Sequence, residues 1–178
     1  LTGGCLVEAS GYHTRETLTM TRSLPDLCDD HGDLVQVAEP LFRDYGSLRA
    51  FHGPITTIKC HEDNLLVRTT FESAGEGRVL VIDGGGSLRR ALVGDKIGSL
   101  MIKNGWAGVV VFGAVRDVEV LATMPVAVRA LGVIPVQPHK KGAGERDVPV
   151  RFAGVRFTPG DWLYADENGL LVSPRPLE

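Results

Sequence analysis

Two unbroken apolar runs, Val79 to Ile82 and Val109 to Phe112, restrict this chain more than any other feature. A strand with one wet face alternates apolar and polar residues, whereas a strand buried on both faces does not. The segment between the runs, Asp95 to Asn104, reads as a helix closed by the turn Asn104-Gly105. Strand, helix and strand in that order predict a right-handed β-α-β crossover and a parallel pair. Each run also opens into a polar loop. Asp83-Gly84-Gly85-Gly86 follows the first, and Gly113-Ala114-Val115-Arg116-Asp117 follows the second. In open sheets, sites form at such strand ends.

The flanking segments supply weaker signals. Ser23 and Pro25 predict a short helix over 26–31 that stops at Gly32. Strands are expected at 34–37 and 55–60, and a helix from Glu62-Asp63-Asn64 to about Glu72. Leu41, Phe42 and Tyr45 read as cover for a sheet face or as a subunit contact. Two short strands, 126–130 and 133–136, are expected on either side of Leu131-Gly132. The stretch KKGAGERD over 140–147 reads as a mobile loop. Beyond it, strands at 148–152, 155–157, 162–165 and 170–172 are joined by good turn residues. The fold class is therefore α/β, with a central, mostly parallel β-α-β core and a β-rich C-terminal part. Residues 1–19 lack periodicity and are expected to be a disordered extension ahead of a single domain over 20–178.

Composition removes several function classes. A net charge of −3 with scattered Lys and Arg gives no electrostatic footprint for nucleic acid. Cys5, Cys28 and Cys60 are odd in number and lack CxxC spacing, which argues against a disulfide framework and a structural zinc site. With no secretory leader pattern and no membrane-length apolar run, a cytoplasmic protein is expected.

Three groups of residues are candidates for chemistry. The triple glycine at 84–86 matches neither GxGxxG nor GxxxxGK[ST]. It reads as a tight strand exit as readily as an anion cradle. Gly94-Asp95-Lys96-Ile97 opens the central helix, and the first-turn amides of Lys96 and Ile97 suit a carboxylate or phosphate. The same residues also fit a helix that Asp95 caps by itself. Arg116 offers a planar fork for a carboxylate, and Asp117 a hard oxygen for Mg²⁺ or Mn²⁺. The bland alternative is a surface ion pair. Twenty residues separate Asp95 from Arg116, about one helix plus one strand, so the two loops should meet at one sheet edge.

VLVIDGGGSLRRALVGD, GWAGVVVFGAVRDVE, GERDVPV and FAGVRFTPGDWLYADENGLLVSP together resemble the RraA-like family over roughly Leu24 to Pro174. That family holds the regulator of ribonuclease E activity A and the class II 4-hydroxy-4-methyl-2-oxoglutarate aldolases. The resemblance implies an α/β sandwich of the swivelling-domain type, assembled as a homotrimer with sites between subunits. It implies a lyase that cleaves a 2-keto acid to pyruvate and decarboxylates oxaloacetate on the side. In that scheme Gly94, Asp95, Lys96 and Ile97 bind substrate, and Arg116 holds the pyruvyl carboxylate or keto oxygen. Asp117 ligates the divalent metal, and Asp95 holds a water that acts as base. The other branch implies a non-catalytic protein that binds and inhibits ribonuclease E. Its members can lack the aspartate that this chain keeps at Asp117.

Overall fold

The computed structural model describes residues 20–178; the extension expected over 1–19 lies outside the described residues. The chain runs α1 (Leu24–His31), β1 (Gln36–Val37), β2 (Arg43–Asp44), β3 (Phe51–Lys59) and α2 (Leu65–Phe71). Then come β4 (Val79–Asp83), β5 (Ala91–Val93), α3 (Asp95–Asn104), β6 (Gly108–Val115), α4 (Val118–Leu121) and β7 (Val128–Val133). It closes with β8 (Glu145–Arg146), β9 (Val150–Phe152), β10 (Val155–Phe157), β11 (Trp162–Asp166) and β12 (Gly169–Ser173).

The main sheet has the order β1-β12-β11-β3-β4-β6-β7-β2, with β5 added beside β6 and β8 beside β3. Its centre, β3-β4-β6-β7, is parallel, and both wings are antiparallel. The expected α/β class with a parallel core and β-rich end is what the chain forms. The unbroken apolar runs are explained by two layers. Leu80 and Ile82 of β4, with Val109 and Val111 of β6, pack on the face covered by Val67 and Phe71 of α2 and Ile97 and Met101 of α3. Val79, Val81 and Val110 point the other way, into a cluster with Phe152 and Phe157 of the β9-β10 hairpin. All four residues from Val79 to Ile82 are fully buried, and each such side chain contributes about 2 kcal/mol.

Local chemistry explains the ends of α1 and α3. The Ser23 hydroxyl accepts the Asp26 amide at the start of α1. Gly105 ends α3 in the left-handed region, φ 75°, and donates its N–H to the Met101 carbonyl.

Several expectations need correction. The crossover is not a simple strand-helix-strand unit, because β5 is inserted before α3. Ala91 and Val93 pair with Ala114 and Val115 at the end of β6, which β4 does not reach. The two strands expected on either side of Leu131-Gly132 are one strand, β7, whose pairing with β6 shifts register between Val111 and Ala114. The helix expected from Glu62 begins only at Leu65. The loop over 140–147, expected to be mobile, contains β8 and is pinned near its start, where the Lys141 N–H donates to Asp63 Oδ2 at 2.6 Å. Phe42 and Tyr45 cover opposite sheet faces.

Candidate active site

Three backbone features bring the predicted residues together. β6 runs to Val115, so Arg116 is the first residue past the strand, and its N–H donates to the Val93 carbonyl at 2.9 Å. β5 delivers the chain to Gly94, the N-cap of α3, which is extended at φ −150°, ψ −168°. Asp117 then adopts a left-handed conformation, φ 54°, that a non-glycine residue rarely takes. This turn sends its carboxylate back across Gly94. A Cβ on Gly94 would lie 2.5 Å from Asp117 Oδ2 and 3.1 Å from Arg116 Cγ, so only glycine allows the approach.

Asp117 Oδ2 accepts the N–H of Asp95 at 3.4 Å and the Nε–H of Arg116 at 3.2 Å. A carboxylate therefore already sits over the N-terminus of α3, where the helix dipole favours negative charge. Asp117 Oδ1 accepts no hydrogen bond among the described residues. The Arg116 and Asp117 side chains are each about 30% exposed. Asp95 Oδ1 accepts the N–H of Lys96 at 2.6 Å. Self-capping and ligand binding are thus alternatives at the Lys96 amide. The Ile97 amide lies in the first turn, where the helix supplies no acceptor.

These residues line a cleft of about 260 Å³ together with Asn64, Arg68, Gln137 and Lys140. That size is near the lower end for small-ligand pockets. All six residues singled out from the sequence, Gly94, Asp95, Lys96, Ile97, Arg116 and Asp117, face this one cleft. Sequence reasoning missed Asn64, Arg68 and Lys140. The Asn64 side chain donates to the Leu92 carbonyl at 3.1 Å and so joins α2 to β5.

No group of three or more His, Cys, Asp or Glu residues suited to a metal occurs among the described residues. The carboxylates at hand are those of Asp95 and Asp117, with amide oxygens on Asn64 and Gln137 and no sulfur or imidazole in the cleft lining. A softer metal would be poorly served. Mg²⁺ or Mn²⁺, which binds through one or two carboxylates and keeps several waters, fits this set through the free Oδ1 of Asp117.

The triple glycine behaves differently. Gly84 and Gly86 each donate to the Phe112 carbonyl at 3.1 Å, Gly85 donates to Asp83 Oδ1 at 2.9 Å, and Ser87 donates to the Gly84 carbonyl at 3.3 Å. No amide of this loop remains for an anion, so it is a strand exit. The loop is clamped by Glu62, which accepts from Ser87 Oγ and pairs with Arg89, both at 2.7 Å. The Ser87 hydrogen bond, with help from Arg89 and His61, holds the Glu62 carboxyl below the usual range against its partial burial. Cys60 is buried beside a second cleft, and burial pushes its thiol up to about 12, which makes it no nucleophile. His52 is buried and stacked on Tyr164 at 5.4 Å, while His61 and His139 are exposed.

The family profile described as RraA-like, Aldolase/RraA, matches residues 24–172. A protein of Ectopseudomonas mendocina (strain ymp) is 56% identical over 153 residues, covering 86% of this chain and 94% of its own length. It carries the provisional name 4-hydroxy-4-methyl-2-oxoglutarate aldolase. Among solved structures, the RNA-processing inhibitor RraA from Thermus thermophilis matches with TM-score 0.86 and 43% identity over 89% of this chain and 96% of its own. An S-adenosylmethionine: 2-dimethylmenaquinone methyltransferase from Geobacillus kaustophilus HTA426 matches with TM-score 0.86 and 44% identity over 88% and 97%.

Proposed function

Because this chain belongs to the RraA-like, Aldolase/RraA family, we propose that it is a divalent-metal-dependent aldolase. It cleaves 4-hydroxy-4-methyl-2-oxoglutarate-type 2-keto acids to pyruvate and decarboxylates oxaloacetate as a side activity. The observation that carries this reading is the meeting of Arg116, Asp117 and the first turn of α3 in one small cleft. The relatives named as aldolases support it.

The residues divide the work. Asp117 would hold Mg²⁺ or Mn²⁺, which when bound would supply a Lewis acid for the keto and carboxylate oxygens. Arg116 places its fork against the pyruvyl end and opposes the negative charge that grows there as the C3–C4 bond breaks. The Asp95 carboxylate orients a water to take the proton of the 4-hydroxyl. The Ile97 amide, and the Lys96 amide once Asp95 releases it, receive the substrate carboxylate. Losing CO₂ from oxaloacetate leaves the same pyruvate enolate, so the same groups serve both reactions.

A coupled pyruvate assay tests the proposal. We expect turnover with Mg²⁺, its loss on adding EDTA, and its recovery with excess metal. Turnover that ignores chelation defeats the metal assignment. The likeness to the RNA-processing inhibitor supports a second reading, in which the protein binds ribonuclease E without using the cleft. Direct binding measured with and without EDTA tests it; no binding at high protein concentration removes it. A methyltransferase reading has less support, because the glycine loop has already used its amides. We also propose a homotrimer in the cytoplasm, with the cleft beside a neighbouring copy. Its mass in solution by light scattering is the check.

A further inference from the structure

Asn64 departs from the habit of its position, and the departure leaves one oxygen without a donor on a residue of the cleft wall. It is the N-cap of α2, where an asparagine normally turns its side-chain oxygen onto an amide of the first turn. Here its side chain makes no such bond. The neighbouring Asp63 does it instead: its Oδ1 accepts the N–H of Leu65 at 3.0 Å, while its Oδ2 accepts the N–H of Lys141 at 2.6 Å. Asp63 is 2% exposed. Burial pushes its carboxyl up, but the amides of Leu65, Lys141, Gly142 and Ala143 outweigh it and hold the group below its usual range.

Three other bonds fix Asn64. Its N–H donates to the His139 carbonyl at 3.0 Å, and its carbonyl accepts the N–H of Arg68 at 2.9 Å. Its Nδ2 donates to the Leu92 carbonyl at 3.1 Å. A carbonyl can only accept, so this last bond assigns the amide: the nitrogen belongs toward β5, and Oδ1 is the free end. Oδ1 accepts no hydrogen bond among the described residues. Gln137, the other amide in the cleft lining, is exposed, and its side chain is held by nothing among the described residues. Asp95 lines the same cleft and offers a matching acceptor. Its Oδ1 is taken by the Lys96 amide, and its Oδ2 accepts nothing among the described residues. The two residues are also linked through the chain, because β5, to which Asn64 is tied, leads through Gly94 to Asp95. A water acts as a directed base when acceptors hold both of its hydrogens, since its lone pair then faces the proton to be removed.

We propose that Asn64 is a positioning residue for proton removal: its Oδ1 and the Oδ2 of Asp95 each take one hydrogen of a single water, whose lone pair meets the 4-hydroxyl of the substrate. The proposal rests on the aldolase reading and supplies the second holder of its water. The hydroxyl proton passes to the water, which gives one of its own to Asp95 Oδ2. The O–H electrons form the new C4=O bond, the C3–C4 bond breaks, and its electrons form the enolate of pyruvate, whose charge Arg116 opposes. The proton returns from Asp95 through water to C3, which completes pyruvate and leaves Asp95 ionised again. Oxaloacetate differs at one point. As CO₂ leaves, its carbon–carbon bond gives its electrons to the same enolate, with no proton to remove first, and C3 takes a proton from solvent.

The two reactions share Arg116 and differ in their need for a base, so their ratio is the test. Pyruvate release is measured from 4-hydroxy-4-methyl-2-oxoglutarate and from oxaloacetate with saturating Mg²⁺, after subtracting the rate with Mg²⁺ alone. Asn64→Ala should lower kcat for the aldol cleavage roughly tenfold to a hundredfold, with KM within about threefold and kcat for decarboxylation within about twofold. Asn64→Ser, which keeps a shorter oxygen, should fall between. The ratio does not depend on how much of a sample is folded. A purely structural loss behaves differently: freeing β5 from Asn64 would also shift Arg116, whose N–H is bound to the Val93 carbonyl, and would lower both reactions together. An Asn64→Ala ratio within about twofold of wild type, whether both activities survive or both fall, overturns the proposal and leaves the aldolase reading standing. Wild-type protein that releases pyruvate from oxaloacetate alone, or from neither substrate, removes the aldolase reading and the proposal with it.

Discussion

Two glycine turns lie near one another at the site end of the sheet, and they do opposite jobs. The run at 84–86 is conspicuous, and every amide in it is spent within the chain. The single Gly94 is easy to overlook. Its backbone is ordinary extended chain, yet a carboxylate fills the space where a Cβ would sit. Gly85 and Gly86, at φ 67° and 69°, are glycines because the chain must bend there. Gly94 is a glycine because another group must come close. Counting glycines finds the first kind of position; finding the second needs to know what lies across from it.

Substitutions can break or sharpen that contrast. The largest effect should come from Asp117→Ala, which removes the group that Gly94 makes room for. We expect roughly a hundredfold or greater loss of pyruvate release, with a stability loss of only about 1 kcal/mol from an alanine in the left-handed region. Gly94→Ala should follow, with roughly tenfold or greater loss as its Cβ displaces Asp117 Oδ2 and the Arg116 stem. Gly84→Ala should invert the pattern. Its Cβ would meet the Phe112 carbonyl oxygen at 2.7 Å, so it should lose about 1–3 kcal/mol in denaturant melts while each folded molecule keeps its activity. If Gly84→Ala abolishes turnover in a folded protein, the contrast is wrong.

Smaller effects sharpen it. Asp63→Asn should cost on the order of 2 kcal/mol at neutral pH, because buried amides lose a charged acceptor. The folded carboxyl titrates below its ordinary value of 3.8, so its stabilisation is complete above that pH. It is lost as pH falls through the folded value, and wild type and variant should converge in acid, below about pH 4. Gly85→Ala should be mildest, about 1 kcal/mol for a left-handed residue, with catalysis unchanged.

The elements legible in the sequence are those written locally. The helix over 95–104 and its closing glycine, the doubly buried β4 and β6, and the C-terminal hairpin turns all follow from composition and period. β5 escaped because it is three residues long, with Arg90 before it and Gly94 after it. β7 was divided in two because Gly132 looks like a break, but its neighbour β6 carries the ladder past it. At the site, Gly94-Asp95 and Arg116-Asp117 could be paired by the length of a crossover alone. Arg68 and Lys140 could not. Their wall is assembled by Asp63 reaching Lys141 and Gly142, 78 and 79 positions away. Glu62, Asp63 and Asn64 resemble a helix start, yet the three side chains reach the glycine loop, the 139–142 segment and β5 respectively. A run of adjacent polar letters does not reveal that its members serve different walls.

The left-handed backbone of Asp117 bears on how such a protein can change its role. Asparagine and glycine accept that conformation as well as aspartate or better. Each is also one base substitution from an aspartate codon. The position that would hold the metal is therefore one where chemistry can be lost with little backbone strain. A descendant of this gene could drop catalysis in one mutational step, keep its outer surface intact, and remain available for selection as a binding partner.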